Sequence, residues 1–160
     1  MRYRLHKLLN GPVGSIQTEY LDRGPTTFDD DFSVGLLGGE LIFVRLIDSV
    51  MVRGVVETEV TVQCVRSLED FQLPLSVPLD DILFALAGYP SDEPDRQITD
   101  DGWIDLTETL RQEIIMAIPI NPINPKYTEA AAAEAAEELS DKDREWLTIK
   151  WSDNARPNGP

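Results

Sequence analysis

Thiol and imidazole are nearly missing from this chain, which has one cysteine and one histidine in 160 residues. A single cysteine excludes an intramolecular disulfide and any cysteine-rich zinc site, and it suits a reducing cytosol. His6 and Cys64 are far apart in sequence, and nothing around them has zinc-ligand spacing. Cations are scarce too: 14 Lys and Arg against 29 Asp and Glu give a net charge of −15. Such a surface repels polyanions unless its few cations cluster, because nucleic-acid affinity comes largely from phosphate neutralisation. It attracts basic proteins instead. No run approaches the ~18 consecutive apolar residues of a membrane span. The opening MRYRLHKLLNGPVGS has no apolar stretch long enough for a secretory signal. These absences lead to the expectation of a cytoplasmic protein without membrane attachment.

The chain is long enough to build a core without staples, and its 42% hydrophobic content is that of a globular domain. Residues 1–40 alternate poorly: NGPVG and DRGP are turn signals, and TTFDDDF reads as polar and flexible. From Glu40 the pattern changes. The run ELIFVRLIDSVMVRGVVETEVTVQCV is rich in β-branched residues and free of proline, so it reads as strands with a turn at Asp48–Ser49. Val56, Thr58, Val60, Val62 and Cys64 share one face, and Glu57, Glu59, Thr61 and Gln63 the other, the period of a sheet with one wet side. Gly54 interrupts the run and marks a bulge or bend. Phe71, Leu73, Leu75, Val77 and Leu79 alternate again, with Pro74 and Pro78 opposite them. Proline cannot donate to a ladder, so this is an edge or bulged strand. DDILFALAGYP fits a strand or a short helix equally well.

Asp105 with Glu108 three residues on forms a capping-box pattern, and Leu106, Leu110, Ile114 and Ala117 follow at helical spacing up to Pro119. PINPINP is extended. TEAAAAEAAEEL and DKDREWLTIKW read as C-terminal helices before a frayed tail. The fold class expected is α+β: an antiparallel sheet over residues 40–79 packed by a helix near 105–118, with a small β-barrel plugged by the helix as the alternative. Residues 1–126 are expected to form a single domain and 127–160 a helical extension.

The inventory for chemistry is thin. Asp29-Asp30-Asp31, Asp80-Asp81 and Asp100-Asp101 lack the spacing of a calcium loop and read as solvated turns. No Ser-His-Asp or Cys-His set is readable, and LLGGE has neither the lysine nor the spacing of a phosphate loop. The expectation is a protein that is not an enzyme, with no cofactor, no metal site and no small-molecule substrate evident. Cys64 ends a strand on its apolar face, the place of a buried structural thiol. Arg66 pairs with Glu57, Glu69 or Asp70, or is a cation held at a rigid strand end for phosphate or an acidic partner.

The stretch VMVRGVVETEVTVQCVRSLEDFQLPL resembles the central motif of the YceD family, the large ribosomal RNA subunit accumulation proteins, through Gly54, Cys64, Arg66, Leu68, Phe71 and Pro74. Asp105, Leu106, Glu113 and Pro119 are similar to the family's later helix motif. Many members carry a second cysteine where this chain has Ser67. The resemblance implies a part in accumulation of large-subunit ribosomal RNA, and hence in ribosome assembly, without supplying a chemistry. Two mechanisms follow. An acidic escort would bind a basic ribosomal or assembly-factor protein. Alternatively, the protein would bind ribosomal RNA directly through a patch of Arg66, Arg53, Arg45, Arg2, Arg4 and Lys7.

Overall fold

The computed structural model describes residues 1–127 apart from Asp92 and Pro94. The C-terminal helices and tail expected from Thr128 onward lie outside the described residues. In chain order the elements are β1 (Arg2–Arg4), α1 (His6–Asn10), β2 (Ile16–Arg23), β3 (Thr26–Thr27), β4 (Ser33–Val34), β5 (Leu37–Arg45), β6 (Ser49–Gln63), β7 (Asp70–Ala85), β8 (Trp103–Asp105) and α2 (Thr107–Ala117).

Four strands form one sheet in the order β2-β5-β6-β7, and every neighbouring pair is antiparallel. β2 and β7 are its two edges, so the sheet stays open and the barrel alternative falls. β1 pairs with β8, and β3 with β4, as separate two-stranded ribbons. α2 lies on β7. The α+β expectation therefore holds.

The alternation seen in the sequence sets the inner face. Val50, Val52, Val56, Thr58 and Val60 of β6 are buried, while Arg53, Val55, Glu57, Glu59 and Thr61 point to solvent. On β7 the inward set is Val77, Leu79, Ile82 and Phe84. These residues join Leu5, Leu8, Leu41, Phe43, Ile104, Leu106, Leu110 and Ile114 in one hydrophobic core. Each fully buried Leu, Ile, Val or Phe contributes about 1.5–3 kcal/mol from removal of its surface from water. Thr58, buried among them, satisfies its hydroxyl by donating to the Leu36 carbonyl.

Two glycines allow the central strands to approach. Gly39 and Gly54 have φ of 152° and 155°, and a Cβ at either would strike a carbonyl oxygen across the β5–β6 ladder, that of Val55 or Glu40. Gly54 is also where the pairing with β7 slips: Val52 faces Ile82 but Gly54 faces Leu79. Arg53 thus stands opposite two residues, Asp80 and Asp81, in a β-bulge. Asp81 takes a positive φ of 51°. The extra residue shifts the inward phase of β7 from Val77 and Leu79 to Ile82 and Phe84, so both ends face the core.

Several boundaries differ from those read in the sequence. The sheet extends beyond residues 40–79, to Leu37 on one side and Ala85 on the other, and DDILFA is the last part of β7. β2 lies in the section expected to be irregular. Its larger apolar residues Ile16 and Tyr20 face outward and only Leu21 is buried, so the alternation carries no inward signal. Asp105 closes β8 rather than capping α2, and Glu108 bonds Arg111 and Gln112 instead of reaching back to form a capping box. The Asp105 carboxylate still accepts from the Thr107 amide and hydroxyl.

Candidate functional site

The connection from β6 to β7 runs from Cys64 to Glu69 and is closed by backbone bonds from the Cys64 amide to the Glu69 carbonyl and from the Leu68 amide to the Cys64 carbonyl, both 2.9 Å. Leu68 adopts φ 60° and leaves its side chain 69% exposed. The extended segment after α2 docks on this turn. The Val65 amide donates to the Pro122 carbonyl at 3.0 Å, and the Asn124 amide points at the Cys64 sulfur at 3.4 Å. Arg66 Nη1 reaches the Tyr127 carbonyl at 3.4 Å, and the Tyr127 hydroxyl donates to Glu69 Oε2 at 3.0 Å. The cysteine and arginine of the motif thus both contact the chain that follows the helix. No acidic side chain forms a salt bridge with Arg66 among the described residues, so the expected pairing with Glu57, Glu69 or Asp70 is absent there.

Cys64 is fully buried and free. The Asn124 amide draws its thiol down to about 7 against the opposing effect of burial, helped by Ser67 and the Arg66 amide. A low thiol pKa favours nucleophilic chemistry only where a reagent can reach the sulfur, and Cys64 has no solvent-accessible surface. Among the described residues no three His, Cys, Asp or Glu side chains gather as metal ligands.

The later motif residues occupy different places. Leu106 is core. Asp105 fastens the β1–β8 ribbon: its carboxylate takes the Met1 amino group at 2.8 Å and Arg2 Nε at 3.0 Å. Burial pushes its carboxyl up, but those partners and Thr107 hold it well below the usual range. Glu113 lines an open cleft between α2 and the β7 bulge, with Asp48, Asp80, Asp81, Glu93 and Arg96. Pro119 follows the helix end and is exposed, Phe71 is half-buried on β7, and Pro74 lies on the outer side of that strand.

The six candidate cations do not form one patch. Arg53 is paired with Asp81 at 2.8 Å across the bulge. Arg45 is half-buried and donates to the Gly11 carbonyl at 2.7 Å. Arg2 is held by Asp105, and Arg4 lies over the Trp103 ring at 6.0 Å. Arg4 and Lys7 do line one cleft together, beside Glu19. Arg66 lies in the turn beyond the end of β6, and the strand from Arg53 to Gln63 alone spans about 33 Å by strand rise. Nor is the Asp29-Asp30-Asp31 run wholly free: Asp29 Oδ2 lies 3.4 Å from Arg111 on α2.

An open antiparallel sheet with a helix on one face, closed at one end by a Cys-x-Arg turn, sets the frame for the comparison with known proteins. The family model described as large ribosomal RNA subunit accumulation protein YceD matches residues 52–153, more than half of the chain. The chain belongs to the YceD family, which implies a role in accumulation of large-subunit ribosomal RNA. This is not a known enzyme family. No curated protein and no solved structure matches the chain. No described helix is long and apolar enough to cross a membrane.

Proposed function

We propose that this protein is a non-enzymatic ribosome-assembly factor that supports accumulation of large-subunit ribosomal RNA by escorting a basic ribosomal or assembly protein. The observation that carries the reading is electrostatic. The net charge is −15, and Arg2, Arg45 and Arg53 each serve a contact within the fold. A long-range field of this sign slows approach to polyphosphate and speeds approach to a cationic protein. The test is a comparison of purified ligands at near-physiological salt. The expected result is tighter binding to an individually purified basic large-subunit protein than to a naked fragment of large-subunit RNA. Submicromolar binding to that RNA with no added protein would overturn the reading.

Direct RNA binding has one observation in its favour. Arg66 is exposed in the turn after β6, and among the described residues its guanidinium makes one long contact, at 3.4 Å to a carbonyl. If RNA is the ligand, Arg66→Ala weakens its binding and flattens the salt dependence by about one unit of slope per lost phosphate contact.

A further inference from the structure

The outer face of the four-stranded sheet departs from the rule that an antiparallel sheet with one wet side places polar residues there. Ile16, Val44, Met51 and Leu83 stand opposite one another across all four strands and form an unbroken apolar row. Two residues along, Thr18, Ile42 and Arg53 make the next row, with Asp81 at the bulge. Tyr20, Glu40, Val55 and Pro78 make the third. Tyr20 is 75% exposed, Ile16 67%, Leu83 52% and Val55 45%. Beyond the third row the outward residues become polar: Asp22, Glu57, Ser76, Glu59, Thr61 and Gln72. The apolar area is therefore a bounded patch and not a general property of the sheet.

Strand spacing of ~4.8 Å and a two-residue rise of ~6.7 Å make this patch about 14 Å by 13 Å. An α-helix with its side chains is about 10 Å across, so the patch is the footprint of two to three turns of one helix. Acids stand in it and around it: Glu40 within the third row between Tyr20 and Val55, Glu57 and Asp22 just beyond that row, and Asp80 and Asp81 at the β7 edge, all exposed. The cation within its rows, Arg53, is already paired with Asp81.

We propose that this face docks a basic amphipathic helix of a partner protein, with the helix's apolar side on the Ile16–Leu83 row and its Lys or Arg residues over the acidic margin. The proposal rests on the escort reading and assigns it a surface. The same charge pattern disfavours the other occupants. A second copy would bring Glu40 and Glu57 against a chain of equal charge, and RNA would meet the carboxylates of Glu40, Glu57, Asp80 and Asp81. Of the chain's own residues, 129–138 carry four acids and no cation, the wrong sign for this margin, and 139–160 carry four of each, with no net attraction to it.

The experiment titrates basic large-subunit proteins, purified one at a time, against the full chain and against an Ile16→Lys/Leu83→Lys variant. Both sites are exposed, and unchanged melting verifies the fold. If the double variant melts early, Tyr20→Lys takes its place. The result expected is that at least one protein binds and that the variant weakens it tenfold or more. Glu40→Gln with Glu57→Gln is expected to weaken binding a few-fold and to flatten its salt dependence. A wild-type chain that binds none of these proteins overturns the escort reading and the docking face together. Equal binding by wild type and variant overturns the docking face and leaves the escort reading standing. Self-association in sedimentation, or a shift of large-subunit RNA, that disappears in the variant would give the face to a second copy or to RNA and overturn the proposal.

Discussion

The β6–β7 hairpin has two irregular places that solve opposite problems. At Gly54 and Asp81 the strands slip past one another, and the irregularity is built from backbone: a glycine that admits the Glu40 carbonyl, and an extra residue on β7. At Cys64 the hairpin turns, and the irregularity is held by a side chain and by a distant segment, through the bonds from Asn124 to the sulfur and from Val65 to Pro122. A backbone requirement tolerates almost no substitution, because no other residue relieves the clash. A side-chain contact tolerates replacement at the cost of that contact alone.

The most severe way to break this comparison is at Gly54. Gly54→Val should destabilise by about 3 kcal/mol or more, since it adds a clash to a φ that L side chains rarely adopt. Chemical denaturation measures it, and a Gly54→Val chain as stable as wild type would remove the backbone half of the contrast. Cys64→Ala should cost about 1–2 kcal/mol, the scale of deleting a small buried group. Partner binding should persist wherever the fold does, and a folded variant without binding would return Cys64 to a chemical role.

The thiol also gives a pH signature. Its folded pKa of about 7 lies below the unfolded value of 9.0, so the thiolate's contribution is present above the unfolded pKa and lost as pH falls through the folded one. The stability gap between wild type and Cys64→Ala should therefore widen as pH rises from about 7 toward 9. A gap that stays flat over that range would mean the Asn124 amide does not stabilise the thiolate. Asp105 behaves in the same sense at lower pH. Its carboxyl is depressed, so its hold on β1 is complete above the unfolded value near ~4 and weakens as pH falls below it. Amide exchange along β1 that rises first on acidification, and does not in Asp105→Asn, is the expected observation.

The smallest effect belongs to the exposed pair at the bulge. Arg53→Ala should cost no more than about 1 kcal/mol, because an ion pair on an open surface gains little over water. A larger loss in denaturation would mean that the bulge depends on the pair as much as on Gly54.

The parts of this architecture that were legible in the sequence are those where one strand carries its own signal. β6 shows period-2 alternation with acids outward, Gly54 announces an irregularity, and Pro74 and Pro78 identify β7 as an edge. The bulge left a trace as well: the inward residues run Val77, Leu79, then Ile82, Phe84, and that change of phase at Asp80-Asp81 is readable once it is looked for. β2 was hidden because its exposed Ile16 and Tyr20 face the same way as the polar residues of its neighbours. Asp105 looked like a helix cap because a carboxylate two residues before a helical amide serves a strand end and a helix start alike. The scatter of the cations could not be read, since what occupies each of them is remote in sequence: Asp81 for Arg53, Asp105 for Arg2, and Gly11 for Arg45.

Pro74 and Pro78 have a consequence beyond marking an edge. They stand four residues apart and are paired in register with Glu59 and Val55 of β6, so the missing N–H groups are on the side of β7 that faces away from the sheet. A strand arriving there from another molecule would find two of its acceptors without donors. The lateral boundary of the sheet on this side therefore lacks donors at two positions, which weakens strand addition at β7. A chain that leaves apolar side chains exposed on its flat face thus hinders, along one of its two sheet edges, a route by which open sheets assemble into fibres.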